Sequence, residues 1–484
     1  MIRYLAIIVA LAGAASAAPN PSFGQSGIAD WTTPPKPTTE PAFAPPVAKR
    51  VKLANGMSVL VVENHKLPIV AMTLVAPGAG AAYDPKAKPG IAAFTADMLD
   101  EGAAGLSAIQ IAQEEDRLGA EIGIGVSFDA ARVSVSALTA TLDPTLDLVA
   151  KIVSQPALSQ ADFDRVAGDR ATALELRRDR PREVAGIMLV ATLFGLDSPY
   201  GHPSSGVRES FKSITLADLQ SFYATRWNPA TMTLVVAGDV DTQKLVAKLG
   251  SALGGWKAPG AKTVRFAASP IKIAQRLHLV DRPNAPQSDV RIGLVGLDRK
   301  DPRYYAFEVM ANALGGGFTS RLNQRLREQL GITYGIGAGM EWRAQPGPFS
   351  ISTAIVAAET AHGITEALKI VDAIGATDMP AAELDKAKQN LIRALPAQFE
   401  TNAGTAASFA DLSLHGLPDD WYAHYADHVR KVSGAEVRAV AKSAIPSGKL
   451  VISVVGDMAK VRADIDKLGL GAAAMHDLYG MALP

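Results

Sequence analysis

The chain has 484 residues, too many for one ordinary core and enough for two to four domains. Its 48 Lys and Arg balance 48 Asp and Glu, which leaves no basic footprint for nucleic acid and no acidic tail. Cysteine is absent, which excludes disulfides, thiolate zinc sites, cysteine nucleophiles and a lipidated N-terminal cysteine.

Residues 1–17 read as a secretory signal, with Arg3 as the positive region, "YLAIIVALAGA" as the short apolar region and Ala15-Ser16-Ala17 as the cleavage site. The expected location is therefore the periplasm. No later apolar run reaches the length that a bilayer requires, so no stable membrane anchor is expected. Residues 18–48 carry eight prolines and read as an extended linker. Regular patterning starts at Val51, with "KLANGMSVLVVEN" as a strand with an Asn-Gly turn and "IVAMTLVAP" as a second strand. Helical periodicity follows over Gly90–Leu99 and Ser107–Leu118, then the alternating strand "ARVSVSAL", then one long helical region from Gln160 to about Phe194. Within it, "ELRRDRPRE" (Glu175–Glu183) mixes charge signs and is expected to be a solvated helix face. After the turn-rich "SPYGHPSSG" come the helix "TLADLQSFYATRW" and the buried strand "TMTLVVAGDV". Strands followed by runs of helices argue an α+β fold.

The chain then repeats itself. "RLGAEIGIG" (Arg117–Gly125) matches "QLGITYGIG" (Gln329–Gly337) at an offset of 212, and Gly238-Asp239 matches Gly456-Asp457 at 218. Two matches at nearly equal offset indicate a duplication of about 210 residues. The expected organisation is two homologous α+β halves, 49–258 and 269–470, arranged like a clamshell, with a linker at 259–268 and a tail at 471–484.

The stretch "GIAAFTADMLDEG" has the frame of a zinc-protease helix, in which H-x-x-E-H places two ligands on one helix face and a Glu beside the bound water. This frame resembles the insulinase/pitrilysin-like metallopeptidases, the family that includes the mitochondrial processing peptidases. The resemblance extends from "LANGMSVLVVENHKLP" to "VISVVGD" and includes "SPYGHPSSGVRESFKSITLADLQSFY". It puts the first His on Ala93, the catalytic Glu on Ala96 and the second His on Asp97. The family's third ligand falls near Leu174, with Glu175 beside it, so at most Asp97 and Glu175 could touch a metal where a catalytic zinc takes three protein ligands. No metal is expected on this chain. Ile91, Phe94 and Met98 then read as the apolar stripe of an amphipathic helix.

The second half keeps "ALGGGFTSRLNQRLREQLGITYGIGA". Leu322, Leu326 and Leu330 form an apolar stripe, and Gly331 reads as the glycine that stops the helix. Arg327 and Tyr334 lie across the helix–strand corner. The resemblance implies that they are the family's Arg/Tyr pair, which binds peptide and stabilises the oxyanion opposite the zinc; guanidinium and phenol are suitable fixed donors. At the repeat offset they correspond to Glu115 and Ile122, so the fold itself does not demand them. From the residues alone, the default is an exposed helix Arg paired to a neighbour and a half-buried strand Tyr. Gly315, Gly316 and Gly317 either let backbone approach a substrate or free a turn between helices.

"HYADH" presents His424 and His428 four apart on an apparent helix with Asp427 as a possible base, a pattern that also fits a solvated face. Three functions follow as expectations. The first is a zinc-free subunit that pairs with a homologous, zinc-loaded H-x-x-E-H subunit and acts on unfolded or extended peptides. The second is a non-catalytic scaffold in a protein complex. The third is an autonomous metallopeptidase using His424 and His428.

Overall fold

A computed structural model describes residues 43–257 and 271–483. The signal sequence, residues 18–42 of the Pro-rich stretch and the whole of the expected interdomain linker lie outside the described residues.

The first half builds β1 (Lys49–Lys52), β2 (Ser58–Glu63), β3 (Ile69–Pro77), β4 (Glu121–Val126), β5 (Ala130–Leu138) and β6 (Thr233–Gly238). They form one sheet in the order β1-β2-β6-β3-β5-β4. The second half builds β7 (Leu277–Asp281), β8 (Gln287–Val295), β9 (Thr333–Met340), β10 (Pro348–Val356), β11 (Val451–Gly456) and β12 (Ala473–His476), in the order β12-β7-β11-β8-β10-β9. In both sheets a parallel pair, β2 with β6 and β7 with β11, is followed by an antiparallel run to an edge hairpin. The five strands from β2 to β4 and from β7 to β9 keep the same order and senses, which is the structural form of the repeat, whereas the outermost strands differ, β1 lying antiparallel to β2 and β12 parallel to β7.

The helices that carry the argument are α1 (Ile91–Asp97), α2 (Ala108–Leu118), α3 (Gln160–Leu176), α4 (Pro181–Phe194), α5 (Tyr304–Gly315), α6 (Asn402–His415) and α7 (Trp421–Lys431). The region expected as one long helix is two. Pro181 has no amide proton to donate and seats at the first turn of α4, so the chain breaks over Arg177–Arg180. The break turns α4 away from its own half. Val184, Ala185 and Met188 pack against Val280 and Val455 of the second sheet. In return, Ala406, Phe409, Ala410 and Leu412 of α6 pack on Leu60, Val62, Val75, Val235 and Ala237 of the first. Each sheet is thus covered by its own helices on one face and by a helix of the other half on the opposite face. β6 and β11 are buried at every residue, as their unbroken apolar runs require.

The two edge hairpins meet at their tips. Asp129 accepts from the Ala344 amide (2.9 Å) and from the Tyr200 hydroxyl, and the Gln345 amide donates to that hydroxyl (3.1 Å). Arg343, only 2% exposed, lies 3.6 Å from the Phe128 ring centre and 4.7 Å from that of Tyr200. The described residues from Ala44 onward form one body. Among the described residues no helix is long and apolar enough to cross a membrane.

Phe409, 1% exposed, fills the first half's sheet from the second half's helix. Phe409→Ala is expected to cost about 3–5 kcal/mol and to lower both halves together in a single calorimetric transition. A separate early transition of one half would sink the coupling.

Candidate functional site

Gly90 starts α1 at φ 99°, a left-handed conformation, and a Cβ there would stand 2.8 Å from Gly206. This pair of glycines lets the 199–206 loop lie on the start of the helix. Asp84 receives the Gly90 and Ala92 amides at 2.5 and 2.9 Å. Burial pushes its carboxyl up to about 7 in spite of those donors. Ile91, Phe94 and Met98 are buried, and Phe94 stacks with Phe163 and Phe211 at 4.9 and 5.4 Å.

The positions that the resemblance marks for zinc do not form a metal site. Ala93 is half-buried, Ala96 is 1% exposed, and neither has a donor atom. Asp97 is paired with Arg170, which reaches across from α3, also donates to the Ser205 carbonyl at 3.0 Å and lies 5.3 Å from the Phe94 ring centre. Glu175 is one turn and more beyond, where the Tyr479 hydroxyl (2.7 Å) and Arg208 (3.3 Å) hold its carboxyl below the ordinary range. Asp97 and Glu175 thus answer to different cations. Among the described residues no three His, Cys, Asp or Glu side chains gather into a metal cluster. A donor set of two alanines and a carboxylate already held by a guanidinium does not fit zinc, which requires at least three protein ligands.

The corner in the second half is built differently from its repeat equivalent. Asn323–Gln329 is wound as a π-helix, with the Leu330 amide reaching the Arg325 carbonyl at 3.0 Å. Such widened turns cost helix stability and concentrate at functional sites. Asn323, 5% exposed, holds the widened turn to β9: it donates to the Ile336 carbonyl (2.6 Å) and accepts from the Ile336 amide (3.2 Å). Its amide also reaches the Gly317 carbonyl at 3.1 Å. The sequence reading passed over this residue; the one signal was a polar side chain directly after Leu322 on a stripe bound for the core.

Arg327 and Tyr334 come together. The guanidinium carbon lies 5.7 Å from the Tyr334 ring centre and 4.6 Å from that of Phe318, with Glu328 as an ion partner at 3.5 Å. Tyr334 is 86% exposed and Phe318 is 68% exposed, so the stack presents its aromatic edges to solvent. The glycine run divides its roles. A Cβ on Gly315 would stand 2.5 Å from the Ala338 amide, so that glycine lets α5 lie against β9, whereas Gly317 has open space around it. Gly316 is exposed, and a Cβ there would meet Asn312 at 2.7 Å. In the first half, Glu115 accepts the Ile122 amide at 3.3 Å and offers no cation.

His424 and His428 sit on α7. His424 faces Asp420 at 3.4 Å, His428 stacks on Tyr305 at 4.7 Å, and Asp427 is paired with Arg430 at 2.8 Å. The "ELRRDRPRE" stretch is not uniformly solvated. Arg177 is 4% exposed, donating to Glu183 (3.1 Å), the Gly206 carbonyl (3.0 Å) and the Ser205 hydroxyl (2.6 Å). The reason is the break before Pro181, which points that side chain inward under the loop.

Family models match both halves: Insulinase (Peptidase family M16) over residues 58–197 and Peptidase M16 inactive domain over residues 213–391. An uncharacterized zinc protease of Mycobacterium leprae is 30% identical over 342 residues, covering 68% of this chain and 74% of that protein. A non-peptidase homolog, YmxG of Helicobacter pylori, is 23% identical and covers 82% of this chain and 91% of its own length. The crystal structure of a peptidase M16 inactive domain from Pseudomonas fluorescens superposes with a TM-score of 0.77 at 26% identity, covering 84% of this chain and 98% of that one.

Two outcomes test the site's construction. A carboxyl raised to about 7 in the fold and near its ordinary value when unfolded keeps an extra proton in the folded state, so its contribution to stability falls as pH rises from about 4 to 7 and is level above. Denaturant unfolding across that window should show a shallower decline for Asp84→Asn than for wild type; parallel curves would remove the buried acid from the account. Asn323→Ala, which orphans both Ile336 backbone groups, should cost about 2–4 kcal/mol.

Proposed function

The chain belongs to the M16 insulinase-type peptidase family, and from that premise we propose that it is the zinc-free subunit of a two-subunit metallopeptidase. Its role is to hold an extended peptide and to supply Arg327 and Tyr334 to a catalytic centre whose metal, base and water are carried by an H-x-x-E-H partner. The observation that supports this reading most is the contrast between the halves. One has Asp97 locked to Arg170 where ligands would stand, and the other keeps a guanidinium and a phenol side by side and accessible. An oxyanion forming between the subunits would meet two donors already in position. The edge strand β9, with Gly335, Gly337 and Gly339 along it, suits an added peptide strand, which binds through main-chain hydrogen bonds and gives little sequence preference. Under this reading the assembly is periplasmic, in keeping with the signal-like pattern of residues 1–17.

A scaffold role is the second reading, favoured by the similarity to a protein described as a non-peptidase homolog. The two readings part on one measurement. The purified chain alone should hydrolyse nothing; mixed with its H-x-x-E-H partner it should give peptide hydrolysis that Arg327→Ala or Tyr334→Phe lowers roughly tenfold or more in kcat/KM. Mixtures in which both variants support the full rate would leave only the scaffold.

A further inference from the structure

Against the two hairpin tips lies a cavity of about 440 Å³ whose other walls include α5, α6 and α7. The exchange of helices makes it. α6 lies on the first half's sheet, where its Asp411 pairs with Arg132 of β5, and the left-handed Gly416 (φ 57°) then turns the chain toward α7. α7 in turn brings Trp421 to 5.8 Å from Tyr304 of α5 and Tyr425 to 5.9 Å from Tyr305, centre to centre. The cavity thus forms where the halves join, and its size is that of a small-molecule site.

Most of the charges in its walls are matched. Arg132 has Asp411, Arg343 has Glu341 at 2.8 Å, and Asp129 accepts from the Tyr200 hydroxyl and the Ala344 amide. Burial pushes the His415 imidazole down to about 4, so this wall residue is neutral near pH 7. Two opposite charges remain. The Arg299 guanidinium lies 3.9 Å from the Tyr304 ring centre, 4.7 Å from that of Trp421 and 5.7 Å from that of Trp342. Rings satisfy the face of a guanidinium and not its N–H edge, and that edge has neither a hydrogen-bond acceptor nor a carboxylate among the described residues. Glu308, one turn along α5 from Tyr304, receives the Trp342 indole at 3.0 Å through one oxygen and has no cation within ion-pair distance among the described residues. Arg299 and Glu308 therefore line one space, not within ion-pair distance of each other. A simple anion entering there would meet Glu308 and a simple cation would meet Arg299, whereas a molecule with both charges would be matched at both ends.

We propose that this cavity binds a zwitterion, a free amino acid or a short unblocked peptide, with its carboxylate on the Arg299 fork and its ammonium on Glu308. Leu391, Leu395 and Leu412, also in the walls, suit an apolar side chain on that molecule. The rings that hold the guanidinium plane fix the direction of its donors before the ligand arrives, which spares the ligand the cost of ordering a long side chain. The cavity shares no lining residue with the Arg327–Tyr334 corner, so the assignment does not rest on the peptide-cleaving reading.

The test is isothermal titration calorimetry of the full chain with leucine, with alanyl-leucine, and with two blocked forms of each: the N-acetyl form, which keeps only the carboxylate, and the amide, which keeps only the ammonium. At least one of the two zwitterions should bind about tenfold more tightly than both of its blocked forms at low salt, and which of them does so distinguishes a free amino acid from a peptide. Glu308→Gln keeps the volume and an acceptor for the Trp342 indole, so it should erase the advantage over the N-acetyl form without lowering the melting temperature. Arg299→Lys keeps the charge and removes the fork, and should weaken the zwitterion and the N-acetyl form alike. Absence of binding by both zwitterions, equal affinity for the blocked forms, or an advantage over the N-acetyl form that survives in Glu308→Gln each overturns the site, and each leaves the Arg327–Tyr334 reading standing.

Discussion

Each sheet in this protein has two apolar faces but only one set of helices of its own, and the second face is kept dry by a helix from the opposite half. This exchange of α4 for α6 is the constraint on which the remainder depends. It converts two repeats, which could have been joined by a loose linker, into one body. It also sets the depth of the space between the halves, because α4 and α6 cover only part of each sheet and leave the strands toward β4 and β9 open. The hairpin tips then close one end of that space through Asp129, Tyr200 and Arg343. A guanidinium buried to this degree survives because three aromatic faces and the Glu341 carboxylate at 2.8 Å stand around it.

The same geometry explains how the first half holds together at the positions that the resemblance marks for zinc. A zinc ion held by α1 and a more distant helix would tie the two together. Here Arg170 makes that tie, bridging Asp97 of α1, the Ser205 carbonyl and the Phe94 ring. Arg177 repeats the device about two turns later by gripping the Ser205 hydroxyl and the Gly206 carbonyl. Two arginines, one on α3 and one just past its end, thus pin the loop that covers the start of α1. The carboxylates at this place are already satisfied by guanidiniums and a phenol, which is a different condition from an empty zinc site.

Much of this was legible in the residues. β3 runs over Ile69–Pro77 as its pattern indicates, Ser107 and Gln110 form the capping box that begins α2, and Gly119 and Gly331 are left-handed at matched positions of the repeat. These features are local, and local patterns report local structure. What escaped was long-range. Nothing near Arg170 in sequence indicates that its partner is Asp97, 73 residues earlier, or that Tyr479 would hold Glu175 from 304 residues away. The break at Pro181 was visible as a proline inside a helical pattern, yet its consequence, a helix packed on the other half's sheet, required knowing which face of β8 was uncovered. The Asn323 tether was hidden because a single asparagine on an apolar stripe looks like noise until its four backbone and side-chain partners are seen.

The Arg327–Tyr334 corner carries its meaning through what it does not gain from folding. A cation beside an exposed ring contributes on the order of 0.5–1 kcal/mol, and a phenol that is 86% exposed contributes little burial. Against that, the widened π-turn sacrifices regular helix bonds, and a buried asparagine is committed to holding its shape. The repeat supplies the control: the equivalent turn in α2 is an ordinary helix, ends in the same kind of glycine and manages with Glu115 and Ile122. A fold that can make this corner more simply, and does so once, has a reason outside its own stability for making it the harder way. Under the proposed function, placing donors where a peptide lying along β9 would pass them is such a reason, because a fixed donor at a strand edge can act on a strand added beyond that edge.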